Sequence, residues 1–175
     1  MLRKIKKILD RALEFLVTIS MGILVLDVVW QVFTRYVLKH PSSWTEELAT
    51  FLMIWVGLLG GSVALNRGAH LGIDYFTAKL SPRKGLYVSL FVFAVVAAFS
   101  LLVLLIGGAE LVIRTLATNQ ISPSLRLRMG YVYLAIPISG LFLVIYSVEL
   151  FIETLAALVR PPPSSQPTLE KGIEL

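Results

Sequence analysis

Three long stretches of this 175-residue chain hold no Asp, Glu, Lys or Arg: 48–66, 85–109 and 129–148, of 19, 25 and 20 residues. A bilayer core of about 30 Å needs about 20 apolar residues per helix. Lipid offers the backbone no hydrogen-bond partners, so each stretch must cross as a helix. Composition points the same way, with 57% hydrophobic and 15% charged residues and a mean hydropathy of +0.81. Soluble domains run near 45–50% apolar and about 25% charged. These facts exclude an ordinary water-soluble enzyme. They also exclude a sizeable soluble domain, because membrane segments use most of the length.

A fourth crossing precedes these three. Residues 1–14 are basic and amphipathic, with Leu2, Ile5, Leu9, Ala12 and Leu13 at helical spacing among Arg3, Lys4, Lys6, Lys7 and Arg11. That pattern suits a helix in the headgroup region. Apolar character continues past Asp27 to Leu38 with no convincing small-residue cleavage site, so the reading is one uncleaved helix and not a signal peptide. The expectation is an all-α membrane protein with interfacial amphipathic segments and four transmembrane helices, at about 13–37, 45–66, 85–117 and 129–159, within a membrane domain of residues 1–160. Ser43 and Glu46 have capping-box spacing at the start of the second helix. The third is longer than a bilayer needs, so it either tilts strongly or breaks at Gly107-Gly108. Glu110 and Arg114 are spaced as a helix-surface pair. Pro137 is expected to kink the fourth helix. Ile73, Phe76 and Leu80 suit a short interfacial helix, and the Pro/Ser-rich 161–175 segment reads as a disordered cytoplasmic tail.

Charge sets the expected orientation. With the N-terminus inside, eleven cations (Arg3, Lys4, Lys6, Lys7, Arg11, Arg67, Lys79, Arg83, Lys84, Arg160, Lys171) lie inside and five (Arg35, Lys39, Arg114, Arg126, Arg128) outside. This follows the positive-inside rule and puts both termini in the cytoplasm. Tyr36, Trp44, Tyr131 and Tyr133 then form an outer aromatic belt. The net charge of +5 reflects topology, and the basic residues lack the interleaved aromatics of a nucleic-acid surface.

Few residues offer chemistry. Asp27 lies near the middle of the first helix with Gln31 one turn on; a carboxylate at that depth is either functional or shielded at a helix interface. Glu46 and Glu47 sit at a helix start, where they complement the dipole and can touch a partner. Gly57, Gly61, Ala64 and Gly68 share one helix face and permit close helix approach. Arg67, His70 and Asp74 read as an inner-surface anchor, since two ligands do not complete a zinc site. The chain has no cysteine, no phosphate loop and no nucleophile elbow, and no cofactor is expected.

The order of several short motifs is more specific. Gln31-Val32-Phe33-Thr34-Arg35-Tyr36, Ser43-Trp44-Thr45-Glu46-Glu47-Leu48, Trp55 and Arg67-Gly68-Ala69-His70-Leu71-Gly72-Ile73-Asp74 resemble the small membrane subunit of tripartite ATP-independent periplasmic (TRAP) transporters. Ser122-Pro123-Ser124-Leu125 and Val132-Tyr133-Leu134-Ala135-Ile136-Pro137 fit the second half, so the resemblance covers roughly residues 10–158. It implies a bacterial or archaeal inner-membrane protein and two partners, a large membrane subunit and a periplasmic solute-binding protein. The large subunit carries sodium and small organic acids by an elevator movement. The small one packs on the fixed scaffold, helps dock the binding protein, and holds no substrate, metal or catalytic residue. Arg35, Trp44, Glu46, Glu47 and Arg126 are expected to touch the binding protein or the outer rim of the large subunit; Gly57, Gly61 and Ala64 are the expected helix-packing residues, within the chain or to a partner. Three rivals remain at this point: a self-sufficient proton-coupled exporter using Asp27, a haem or quinone anchor of a redox complex, and a purely structural membrane protein.

Overall fold

The computed structural model describes residues 2–40, 42–67 and 82–159. Within them the regular structure is helical, apart from one isolated bridge between Ile121 and Arg128. The interfacial 73–80 segment, His70, Asp74 and the 161–175 tail lie outside the described residues.

The first span, α1, runs uninterrupted through Leu2–Tyr36. The amphipathic start and the apolar body are one helix, without a boundary near residue 13. No Gly or Pro occurs between residues 2 and 21, so nothing there releases the hydrogen-bond ladder. The second span, α2, covers Ser43–Asn66. Its cap is Ser42, one residue before the expected capping box, and no side chain caps the helix. Instead, the Thr45 hydroxyl donates to the Ser42 carbonyl at 2.8 Å and lies 2.6 Å from the Ser42 hydroxyl. Glu46 remains in the first turn, favourably placed against the dipole.

The third span joins α3 (Pro82–Phe99), a π-helical stretch (Ser100–Gly107) and α4 (Gly108–Ala117). It starts at Pro82, whose fixed φ and missing N–H suit a first helical turn. Gly107 and Gly108 stay right-handed helical, so the glycine pair does not break the helix. It serves a close approach: a Cβ at Gly108 would stand 3.2 Å from the backbone N of Pro137. The fourth span joins α5 (Met129–Tyr133) and α6 (Ala135–Val159), with Leu134 disturbing a single turn between them. Pro137 explains the position, because its absent N–H leaves the Tyr133 carbonyl without its helical partner.

Adjacency is simple. The first span packs on the second, the second on the fourth, and the fourth on the third. The spans therefore form a row in the order one, two, four, three. The core is small: Leu13, Leu59, Leu65 and Tyr146, ringed by half-buried side chains including Trp55 and Phe142. Glycine brings the third and fourth spans together, since a Cβ at Gly140 would meet the Leu105 backbone N at 2.8 Å. Buried Ser62 donates to the Ser139 carbonyl at 3.3 Å and ties the second span to the fourth. Stretches Ile8–Tyr36, Ser43–Asn66, Lys84–Ala117 and Met129–Val159 are each long and apolar enough to cross a membrane.

Candidate functional site

The two inter-span turns, 37–42 and 118–128, meet at one end of the row. The first turn places Lys39 at a positive φ of 53° and closes with the His40 N–H donating to the Thr34 carbonyl at 3.2 Å. The second turn is more ordered than its Ser-Pro sequence suggests. The Ser122 N–H donates to the Leu127 carbonyl at 2.9 Å, and the Met129 N–H to the Gln120 carbonyl at 2.9 Å. The buried Ser122 hydroxyl accepts from the Leu127 N–H at 3.2 Å. Asn119 and Arg126 take positive φ values of 49° and 52° to make the reversals.

Glu47 ties the second turn to α2. One carboxylate oxygen accepts from the Ser124 N–H at 3.0 Å and from the Leu125 N–H at 2.7 Å. The second span thereby fixes the loop that carries Arg126. Glu46, one residue earlier, is exposed, as are Arg35, Trp44 and Arg126. Glu110 and Arg114 form the expected pair one turn apart on α4. Among the described residues, no ion pair engages Arg35, Lys39, Arg126 or Arg128. This end is therefore a cationic surface that also carries exposed Tyr36, Trp44 and Tyr131 and the exposed carboxylate of Glu46.

The opposite end is tied by polar contacts that the sequence analysis did not foresee. Lys6 pairs with Glu149, and the Tyr146 hydroxyl donates to Asp10 at 2.5 Å. Arg67 pairs with Glu14 at 2.9 Å, so this anchor residue has a partner within the chain. The available signal was the four-residue step from Lys6 to Asp10, facing the three-residue step from Tyr146 to Glu149 on an antiparallel helix.

Asp27 is buried, 6% exposed, and its Oδ2 has no hydrogen-bond partner. Gln31 is half-buried one turn on. A Cβ at Gly57 or Gly61 would meet nothing within 4 Å, and Ala64 is exposed. That face of α2 is open, whereas a Cβ at Gly60 beside it would stand 3.9 Å from Val17 of α1. Among the described residues, no three His, Cys, Asp or Glu side chains gather as a metal site would require.

Known proteins resemble this chain along most of its length. The family model for the DctQ component of the tripartite ATP-independent periplasmic transporters matches residues 7–157. The sialic acid TRAP transporter small permease protein SiaQ of Vibrio cholerae is 29% identical over 150 residues, covering 85% of this chain and 84% of that protein. The C4-dicarboxylate TRAP transporter small permease protein DctQ of Rhodobacter capsulatus is 32% identical over 97 residues, covering 55% of this chain and 42% of that protein. The sialic acid TRAP transporter permease protein SiaT of Haemophilus influenzae is 39% identical over 74 residues, covering 39% of this chain and 12% of that protein.

Proposed function

The chain belongs to the DctQ component family of tripartite ATP-independent periplasmic transporters as a small permease subunit, and from that premise we propose that it is an accessory part of the transport machine. It packs on a large permease subunit in the inner membrane of a bacterium or archaeon. Its termini are cytoplasmic, and its turn-bearing end helps dock a periplasmic solute-binding protein. The complex takes up organic acids driven by sodium.

The observation that carries the docking role is the cationic turn surface pinned by Glu47. Among the described residues Arg35, Lys39, Arg126 and Arg128 form no ion pair there, so their charge is available to an acidic face of a partner. Trp44 adds an exposed aromatic of the kind that anchors interfaces. The scaffold role is supported by the open Gly57/Gly61 face and by apolar surface along all four spans. A substrate class of organic acids is supported by the sialic acid and dicarboxylate transporters among the relatives. A substrate site within this chain alone would need several polar groups converging at mid-depth, and Asp27 with Gln31 falls short of that.

The experiment measures binding-protein affinity for the two-subunit membrane complex in nanodiscs across a salt series. Arg126→Glu should weaken docking about tenfold at low salt and less at high salt, as screened charges do. Glu46→Lys should change affinity in the same salt-dependent way. Unaltered affinity in both variants would refute the docking role of this surface. Liposomes holding this chain alone, given a sodium gradient and substrate, should show no uptake.

A further inference from the structure

At the end opposite the turns, α1 and α6 enclose a groove of about 500 Å³. No Cα atoms of the two helices come within 8 Å of each other. Two side-chain crossbars span the gap instead. Lys6 reaches Glu149 and lies 5.8 Å from the Tyr146 ring centre, while Tyr146 reaches Asp10. Around them the walls are apolar: Leu9, Ile145, Val148 and Ile152 line the groove and are all exposed. The groove thus joins a hydrocarbon floor to a fixed set of charges at the end of two membrane-spanning stretches.

Those charges select a headgroup. The lining contains one cation, Lys6, and three carboxylates, Asp10, Glu149 and Glu153, a net of 1 − 3 = −2. Lys6 already neutralises Glu149, and Asp10 accepts from Tyr146. Glu153 is exposed and takes part in no ion pair among the described residues. An anionic headgroup would meet repulsion here. A choline headgroup has no N–H to donate, and carboxylates only accept. A primary ammonium supplies three donors and a positive charge.

We propose that this groove binds a membrane phospholipid whose headgroup carries a primary ammonium. An acyl chain lies along Leu9, Ile145 and Ile152, and the ammonium sits at Glu153 beside the Lys6–Glu149 and Asp10–Tyr146 crossbars. The lipid fills the space between the first and fourth spans, which no helix of the described chain occupies. This assignment is independent of the docking role and survives its failure.

The test uses the full-length chain in detergent, with native mass spectrometry against phosphatidylethanolamine, phosphatidylcholine and phosphatidylglycerol of identical acyl chains. Phosphatidylethanolamine should be retained about threefold or more over the other two, the range of one exposed ion pair. Glu153→Gln, on an exposed side chain outside the crossbars, should bring that ratio close to one. Ile145→Trp should lower retention of all three lipids by filling the groove. Equal or better retention of phosphatidylglycerol overturns the proposal, as does a ratio untouched by Glu153→Gln. Retention that appears only after removal of residues 161–175 also overturns it, by identifying the tail as the occupant.

Discussion

Removing the Glu47 carboxylate should loosen the 118–128 turn without unfolding the row. One oxygen of Glu47 accepts from two backbone N–H groups, at 3.0 Å from Ser124 and 2.7 Å from Leu125. A hydrogen bond to a charged group contributes about 1.5–3 kcal/mol. Ser124 is exposed, so water replaces the carboxylate there; Leu125 is half-buried, and its N–H loses more. The net local cost of Glu47→Ala is then about 2 kcal/mol. At about 1.4 kcal/mol per tenfold, the turn opens roughly 30-fold more often. Glu47→Gln keeps an acceptor but loses the charge, and charge-assisted bonds are roughly twice as strong as neutral ones. Its cost is about 1 kcal/mol, or about fivefold. Residue-resolved amide exchange on the chain in nanodiscs reads both numbers at Ser124 and Leu125. Glu46→Ala, one residue away and exposed, is the control and should leave these amides unchanged. Equal exchange rates in the native chain and in Glu47→Ala would refute the pinning argument.

Three further outcomes follow from the same geometry. Gly140→Val should destabilise the isolated chain by at least about 1–3 kcal/mol, because its Cβ would press on the Leu105 backbone, whereas Gly61→Ala should leave the melting temperature of the isolated chain unchanged. Since the chain has no cysteine, thiols at Lys4→Cys and Trp44→Cys report sidedness in intact cells: position 44 should label with an impermeant reagent and position 4 only after lysis. Asp27→Asn should leave proton flux at background in liposomes carrying this chain alone.

What the sequence made legible was whatever rests on composition and short-range spacing. The uncharged stretches marked the spans, and Pro137 marked the disturbed turn at Leu134, because both act locally. The Glu110–Arg114 pair was equally visible from its four-residue step. The packing glycines were not separable by spacing. Gly57 and Gly61 look like contact residues yet face open space, while Gly108, Gly130 and Gly140 make the close approaches. A small residue records that something comes near; it does not record whether the visitor belongs to the same chain. The internal contacts of Glu47 were not legible for a related reason. Its two donors are backbone groups 77 and 78 residues away, and backbone groups carry no sequence signature.

The row also bears on the buried carboxylate. A helix at the end of a row has one backbone neighbour: among the described helices α1 approaches only the second span by its Cα atoms and reaches α6 through side chains alone. The covering of Asp27 therefore comes from that side, away from the faces left to lipid or partners. A proton pathway needs a succession of polar groups across the bilayer. Residues 51–61 of the second span offer no polar side chain except the Trp55 indole. Gln31 stands one turn on, and among the described residues Asp27 Oδ2 has no hydrogen-bond partner. The same one-neighbour geometry leaves both end helices short of contacts. The side-chain crossbars between α1 and α6 then hold together what backbone packing does not, at the end of the row where the first span has least else to grip.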